Sequence, residues 1–342
     1  MEQDLIYQIL YAIVAAGIAI AAAAAYFWGT NWLLDRLMSQ PAGSAVTEAS
    51  VRLDRRRSQV RPWLFIFPAL LFMAIYLIYP VFETLRLTFF DKNSEGFVGL
   101  QNYIWAFTDA GFWRAALNNL GWLIIVPSLA TAFGLLIATL ADRLWWGNIA
   151  KSLVFMPMAI SFVGASVIWK FVYTYRAADL PQIGVLNAIA TGLGFQPQTW
   201  LTIPVLNSLL LMVILIWIQT GFAMVILSAA LRGIPEETLE AARIDGANDV
   251  QIFFTIMIPQ IWGTIIVVWT TITITVLKVF DIVFAMTSGE FGTQVLANLM
   301  YQWMLIYGDY GRGATLAVIL MLAVTPVMVW NIRRASRDVG TR

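Results

Sequence analysis

Residues Arg232–Gln260 read RGIPEETLEAARIDGANDVQIFFTIMIPQ. Pro235 suits the first turn of a helix, where its missing N–H costs little. Glu236, Glu237 and Glu240 put negative charge near that N-terminus, the end that favours it. Leu239, Ala242 and Arg243 follow at helical spacing, and Gly246 can adopt positive φ and end the helix. Ile252, Phe253 and Ile256 predict a second short amphipathic stretch, with Pro259 punctuating the start of the next apolar run. The segment therefore predicts a helix–turn–helix lying flat at a membrane face. A few residues suffice to connect two helices, so a device of this length reads as a docking surface for a partner.

Apolar runs flank the segment at Val205–Leu231 and Ile261–Met286, and five more occur at about Leu5–Trp28, Trp63–Phe82, Leu117–Leu140, Ser152–Val172 and Gly313–Trp330. Each approaches the roughly 20 residues that cross a bilayer as a helix. In lipid the backbone must bond to itself, so each run reads as helix, and no alternating strand pattern points to a barrel. Composition agrees. Of 342 residues, 60% are apolar and only 12% charged, about half the usual charge content of a soluble domain. The fold class is an all-α integral membrane protein of about seven transmembrane helices.

Lysine and arginine set the orientation. With the N-terminus outside and the C-terminus inside, segments 29–62, 141–151, 232–260 and 331–342 hold 6, 2, 2 and 4 basic residues, against 5 outside. The loop 232–260 is then cytoplasmic. Arg52, Arg55, Arg56, Arg57 and Arg61 read first as a topology signal, and their charge also suits anionic membrane lipid. The organisation expected is an N-terminal helix (1–28), a cytoplasmic basic linker (29–62) with a small polar stretch at Ser39–Ser50, a core of six helices (63–332) and a short tail (333–342). The acidic flank Met1-Glu2-Gln3-Asp4 differs from the positive flank of a cleaved signal, so the first helix is read as retained. Ala15, Ala19 and Ala23 recur every fourth residue, which fits a close helix contact as well as it fits an alanine-rich filler.

Cysteine and histidine are absent. That excludes a thiol nucleophile, a disulfide framework, a histidine-ligated metal and a histidine proton relay. No nucleophile–base cluster appears, so no catalytic and no metal residue is assigned. The net charge of +1 gives no reason to expect nucleic acid. None of the four lysines follows glycine, so the chain has no phosphate-binding Gly-x-x-x-x-Gly-Lys loop.

The loop resembles the cytoplasmic EAA loop of permease subunits of binding-protein-dependent ABC importers. That pattern is Glu-Ala-Ala, three residues, Gly, nine residues, then Ile, one residue, an aliphatic residue and Pro. Here it is Glu240-Ala241-Ala242, Gly246, Ile256, Ile258 and Pro259. The resemblance implies that Glu240, Ala241, Ala242, Asp245 and Gly246 form a coupling helix seated on an ATP-hydrolysing subunit. Val98-Gly99-Leu100-Gln101-Asn102-Tyr103 resembles the GLxNY segment of the carbohydrate branch, and Gln294-Val295-Leu296-Ala297 with Tyr301 resembles the α-glucoside permeases. The chain departs at Ser288, Glu290 and Phe291 from that branch's glycine-rich stretch. The similarity covers about residues 62–332.

The resemblance implies a non-catalytic subunit in the bacterial inner membrane that passes a sugar inward: an α-glucoside, another disaccharide or a glucosyl-polyol. Its implied partners are a second homologous permease, a dimer of ATP-binding subunits holding ATP and magnesium, and an extracytoplasmic solute-binding protein; the chain itself needs no cofactor. Sugars need hydrogen bonds for hydroxyls and aromatic faces for C–H surfaces. Gln219 and Phe222 share one helix face, and Thr271, Thr275 and Lys278 share another, with Asp281 three residues on. Counting from Glu240, positions that contact sugar in maltose-type relatives fall near Gln219, Phe222, Ile272, Thr275, Val276 and Val279, and Ile272, Val276 and Val279 are aliphatic here. Lys278 and Asp281 have a second reading, as an ion pair with each other. Asn118 and Asn119 are expected to bond neighbouring helices rather than substrate. The rival function is an ion-coupled secondary transporter, which would use carboxylates inside the spans; few lie there, and no inverted repeat is visible.

Overall fold

The computed structural model describes residues 2–38, 48–142 and 144–340, with side chains for 6–36, 55, 58–142, 144–330 and 333. Among these the chain is helical apart from connecting loops, and its one β-bridge joins Phe90 to Phe97. It divides into two units, one up to Glu83 and one from Thr84 onward.

The first unit holds α1 (Glu2–Met38) and α2 (Glu48–Met73), which continues through a π-helical turn, Ala74–Ile78, into α3 (Tyr79–Leu87). The first helix thus runs beyond the apolar stretch ending at Trp28, and the segment read as linker is helical from Glu48. Cross-helix contacts explain the extension. Tyr26 Oη donates to Leu64 O at 2.8 Å, Arg61 Nη2 donates to Asn31 Oδ1 at 2.6 Å, and Phe27 stacks on Phe65 with centroids 5.5 Å apart. Leu34 is buried. Arg61 of the basic cluster therefore pins the two helices together; residues 39–47 of the polar stretch lie outside the described residues, as do the side chains of Arg52, Arg56 and Arg57. Ala15, Ala19 and Ala23 are exposed.

The second unit is built on α5 (Ala110–Ala141) and α9 (Leu206–Arg232). Of the most apolar window of α9, 61% is enclosed, against 33% for α5 and 17% for the span 249–277, so α9 is the centre of the bundle. Its apolar residues surround the helix, as burial on all sides requires. Trp122 and Val126 of α5 meet Leu211, Leu215, Met224 and Leu227 of α9 in one core. Closeness rests on glycine. A Cβ on Gly134 would lie 2.5 Å from Ala223 Cβ and 2.7 Å from Met224 N, and one on Gly221 would lie 2.6 Å from Val154 O.

The run Ser152–Val172, expected as one span, is two helices, α6 (Gly147–Phe155) and α7 (Phe162–Tyr173), bent by 107°. Pro157 opens a 3₁₀ turn, Met156–Ala159, and Ser161 caps the new helix by accepting from Gly164 N at 3.1 Å. Proline removes a ladder donor and serine supplies a start, so the helix breaks here. The described helices long and apolar enough to cross a membrane number six, or seven with this pair.

Small helices cap the ends: α4 (Gln101–Thr108) and α8 (Val185–Gly192). The Gly99–Tyr103 segment proves to be such a cap. Gly99 takes φ +60°. Buried Asn102 donates to Thr88 O at 2.9 Å and Phe90 O at 2.8 Å, and Tyr103 Oη donates to Thr88 Oγ1 at 3.1 Å. Asn102→Ala would leave two carbonyls short of a donor. It is expected to cost about 1–3 kcal/mol, seen as a lower unfolding temperature of the detergent-purified protein.

Candidate functional site

The loop 232–260 folds as α10 (Glu236–Ile244) and α11 (Asp249–Ile252). Pro235 is the N-cap rather than the first helical residue. The end of α10 is a Schellman turn: Ala247 N donates to Ala242 O at 3.0 Å and Gly246 N to Arg243 O at 3.1 Å, with Gly246 at φ +89°. Next comes a reciprocal cap that sequence reasoning missed. Asn248 Oδ1 accepts from Gln251 N and Gln251 Oε1 accepts from Asn248 N, both at 2.9 Å. The polar–x–x–Gln spacing before an apolar run was its signal.

The second amphipathic stretch is not a separate helix. α11 runs through a π-helical turn, Phe253–Met257, into α12 (Ile258–Leu277), and Pro259 sits inside the continuous helix. The reason is geometric. Ile258 N donates to Phe253 O, five residues back, immediately before the proline. Tyr79 N donates to Ala74 O in the same way before Pro80. In both places the wider turn absorbs the donor that proline lacks.

The five residues that the resemblance singles out divide by orientation. Ala242 is buried within the chain, while Glu240, Ala241, Asp245 and Gly246 are exposed. Ile244, which the sequence reading passed over, is 85% exposed. A Cβ on Gly246 would meet nothing within 4 Å, so the glycine is required by its backbone angle and not by crowding. Behind α10, Lys151 Nζ donates to Asp142 Oδ1 and, at 2.8 Å, to Ser228 Oγ; Ser228 Oγ donates to Asp142 Oδ2 at 3.3 Å. This network ties the ends of α5, α6 and α9 where the loop leaves the bundle.

The polar intramembrane residues meet in a cavity of about 260 Å³. Gln219 and Phe222 come from α9, Thr271, Ile272 and Thr275 from α12, and Met158 and Phe162 from the broken helix. Gln219 is 8% exposed, and its amide bonds to no protein group among the described residues. Thr271 Oγ1 donates to Val267 O at 2.8 Å and Thr275 Oγ1 to Thr271 O at 3.3 Å, which leaves both hydroxyl oxygens free to accept. Ile272 reaches the wall but is fully buried, as is Val276, and Val279 is nearly so. These three belong to the core. Lys278 and Asp281 stand apart: they line a water-sized cavity of about 20 Å³ that shares Phe162 and Thr275 with the larger one. They form no ion pair with each other, and the helix is interrupted between them: α12 ends at Leu277 and α13 (Asp281–Thr287) begins anew after Phe280.

The asparagines bond between elements as expected. Asn118 Nδ2 donates to Gly292 O at 2.7 Å and Gln294 O at 2.8 Å, and Asn119 Oδ1 accepts from Leu296 N at 2.8 Å, ahead of α14 (Leu296–Tyr301). Arg312, in α15 (Tyr310–Gly340), lies 4.7 Å from the ring centroids of Trp105 and Trp303 and pairs with Asp309 at 3.5 Å. The helix α15 continues through most of the segment read as a tail.

Comparison with known proteins follows from this geometry. Residues 130–333 match the family model "Binding-protein-dependent transport system inner membrane component". The alpha-glucoside transport system permease protein AglF of Rhizobium meliloti (strain 1021) is 59% identical over 97% of this chain and 99% of its own length. The osmoprotective compounds uptake permease protein GgtC of Synechocystis sp. is 57% identical over 79% of this chain and 97% of its own. A crystallised bacterial ABC transporter involved in import of the acidic polysaccharide alginate shares the fold, with a TM-score of 0.71 at 19% identity over 83% of this chain and 99% of that one.

Proposed function

Because this chain belongs to the family of inner membrane components of binding-protein-dependent transport systems, we propose that it is one of two permease subunits of an ABC importer and passes an α-glucoside or a glucosyl-polyol into the cytoplasm. Its place is the inner membrane, crossed several times. Its N-terminus lies outside and the α10 loop inside. ATP and magnesium are bound by a separate pair of subunits, and an external solute-binding protein delivers the sugar. The α-glucoside rests on what AglF is named for, and GgtC is named for the uptake of osmoprotective compounds, a class that a glucosyl-polyol fits.

One observation carries the mechanism: the loop of α10 joins the two helices that line the cavity. Gln219 and Phe222 lie on α9, and Thr271 and Thr275 on α12. Gln219 sits about 20 Å along the helix from Arg232, by rise per residue. A push on α10 is transmitted upward as a tilt of both walls, because α11 and α12 are one helix and buried Ala242, Ile234 and Ile252 hold the loop to the bundle. Movement of a rigid bundle around a fixed midplane site is alternating access. In the cavity the unbonded Gln219 amide donates to and accepts from sugar hydroxyls, the threonine oxygens accept, and Phe222 and Phe162 face the C–H surface.

The test is uptake of labelled α-glucosides by the complete transporter in proteoliposomes with ATP inside. A side chain making two hydrogen bonds in transit is worth about 2 kcal/mol, so Gln219→Leu is expected to cut uptake tenfold or more. Assembly should be unchanged, because that amide supports no protein contact. Uptake that persists without ATP, driven by an ion gradient, would instead make the chain a secondary transporter.

A further inference from the structure

At the ends of α5 and α9 remote from α10 lies a cavity of about 590 Å³, separate from the sugar pocket. From α5 it takes Arg114, Leu117, Gly121 and Ile125, one stripe at helical spacing. From α9 it takes Ser208, Leu209 and Met212, with the N-cap residue Val205 before them. Polarity is graded along it. Arg114, Asn118 and Ser208 gather within the first turns, and the deeper walls are apolar. Among the described residues, exposed Arg114 has no ion-pair partner and the hydroxyl of largely buried Ser208 bonds to no protein group.

The mouth is preset. Asn118 holds the backbone of Gly292 and Gln294, and Asn207 Nδ2 donates to Phe291 O at 2.9 Å. Val205 and Phe291 stand on the rim at φ +68° and +56°, a backbone region that such residues seldom occupy. Strain of this kind persists where surrounding bonds enforce it, and it gathers at ligand sites. A Cβ on Gly121 would sit in ordinary contact with Met212 Cε at 3.5 Å, and a side chain much larger than alanine there would fill the groove.

We infer that this groove binds an anionic phospholipid, its phosphate on Arg114 and one acyl chain between α5 and α9. A sugar needs hydrogen bonds along its whole length, and only the mouth offers them. A phospholipid needs one charged end above an apolar trough. From Leu117 to Ile125 the helix rises about 12 Å, close to one leaflet of a hydrocarbon core about 30 Å thick. The inference does not depend on which solute is carried.

The experiment uses the complete transporter in nanodiscs of equal phosphatidylglycerol and phosphatidylcholine, with a photoreactive acyl chain placed on each lipid in turn. Phosphatidylglycerol label is expected on peptides containing Gly121–Ile125 or Val205–Met212. Arg114→Gln, a change to an exposed side chain, is expected to lower that labelling about fivefold, the worth of one basic residue at a lipid surface. Gly121→Leu is expected to remove it. Equal labelling by both lipids in the unaltered chain, or label confined to other segments, overturns the inference. So does a cross-link from the groove to a neighbouring protein chain. Loss of the label on adding inorganic phosphate would make the mouth a plain anion site, which overturns it as well.

Discussion

Gly246→Val is expected to abolish sugar uptake while the chain still inserts in the membrane. Gly246 holds φ +89° at the Schellman turn that ends α10. Leaving glycine in a left-handed conformation costs roughly 1–2 kcal/mol, and a β-branched residue is among the worst there. Nothing lies within 4 Å of the added Cβ, so the bundle has no clash to relieve and its stability should be little changed. The cost falls on the turn. If the turn opens, α10 no longer holds its angle to α11, and a push on the loop is spent bending it rather than tilting α9 and α12. Purified transporter should therefore keep its subunits and its ATP hydrolysis while uptake per ATP collapses. Uptake at the unaltered rate would remove α10 from the transport cycle.

Gly134→Ala is expected to destabilise the bundle strongly although it adds a single methyl in mid-helix. Helix propensity alone argues the other way, favouring alanine by about 1 kcal/mol. Packing decides. The methyl would lie 2.5 Å from Ala223 Cβ and 2.7 Å from Met224 N, so α5 and α9 must separate. Overpacking costs about 1–3 kcal/mol, and more where backbone is the obstacle. Gly17 in α1 has nothing within 4 Å, and Gly17→Ala should leave stability equal or slightly higher. Thermal unfolding of the two variants in the same detergent separates the terms. If Gly134→Ala unfolds no earlier than Gly17→Ala, the close approach of α5 and α9 is not what holds the bundle.

Much of the functional organisation was legible because it is local. Glu240 to Gly246 form one helix and its terminating turn, and capping and φ preference act within a few residues. The polar side chains of α9 and α12 could be placed on helix faces by spacing alone, and Gln219, Phe222, Thr271 and Thr275 do meet. The outlying members could not be placed this way. Lys278 and Asp281 were joined to the same face by counting through Leu277, where the helix stops. Ile272 was chosen by its distance from Glu240, a measure blind to what packs against it.

Composition, apolar runs and the loop between them determined that this is a bundle of membrane helices with one built helical turn between two spans, because lipid forces every span to satisfy its own backbone. Tertiary structure alone decided where spans bend, which side chains are spent on the core, and that the 107° break between α6 and α7 brings Met158 and Phe162 to the cavity of Gln219 and Phe222. Periodicity along one helix cannot report on a neighbour that approaches from a broken one, since that approach depends on contacts far apart in the chain.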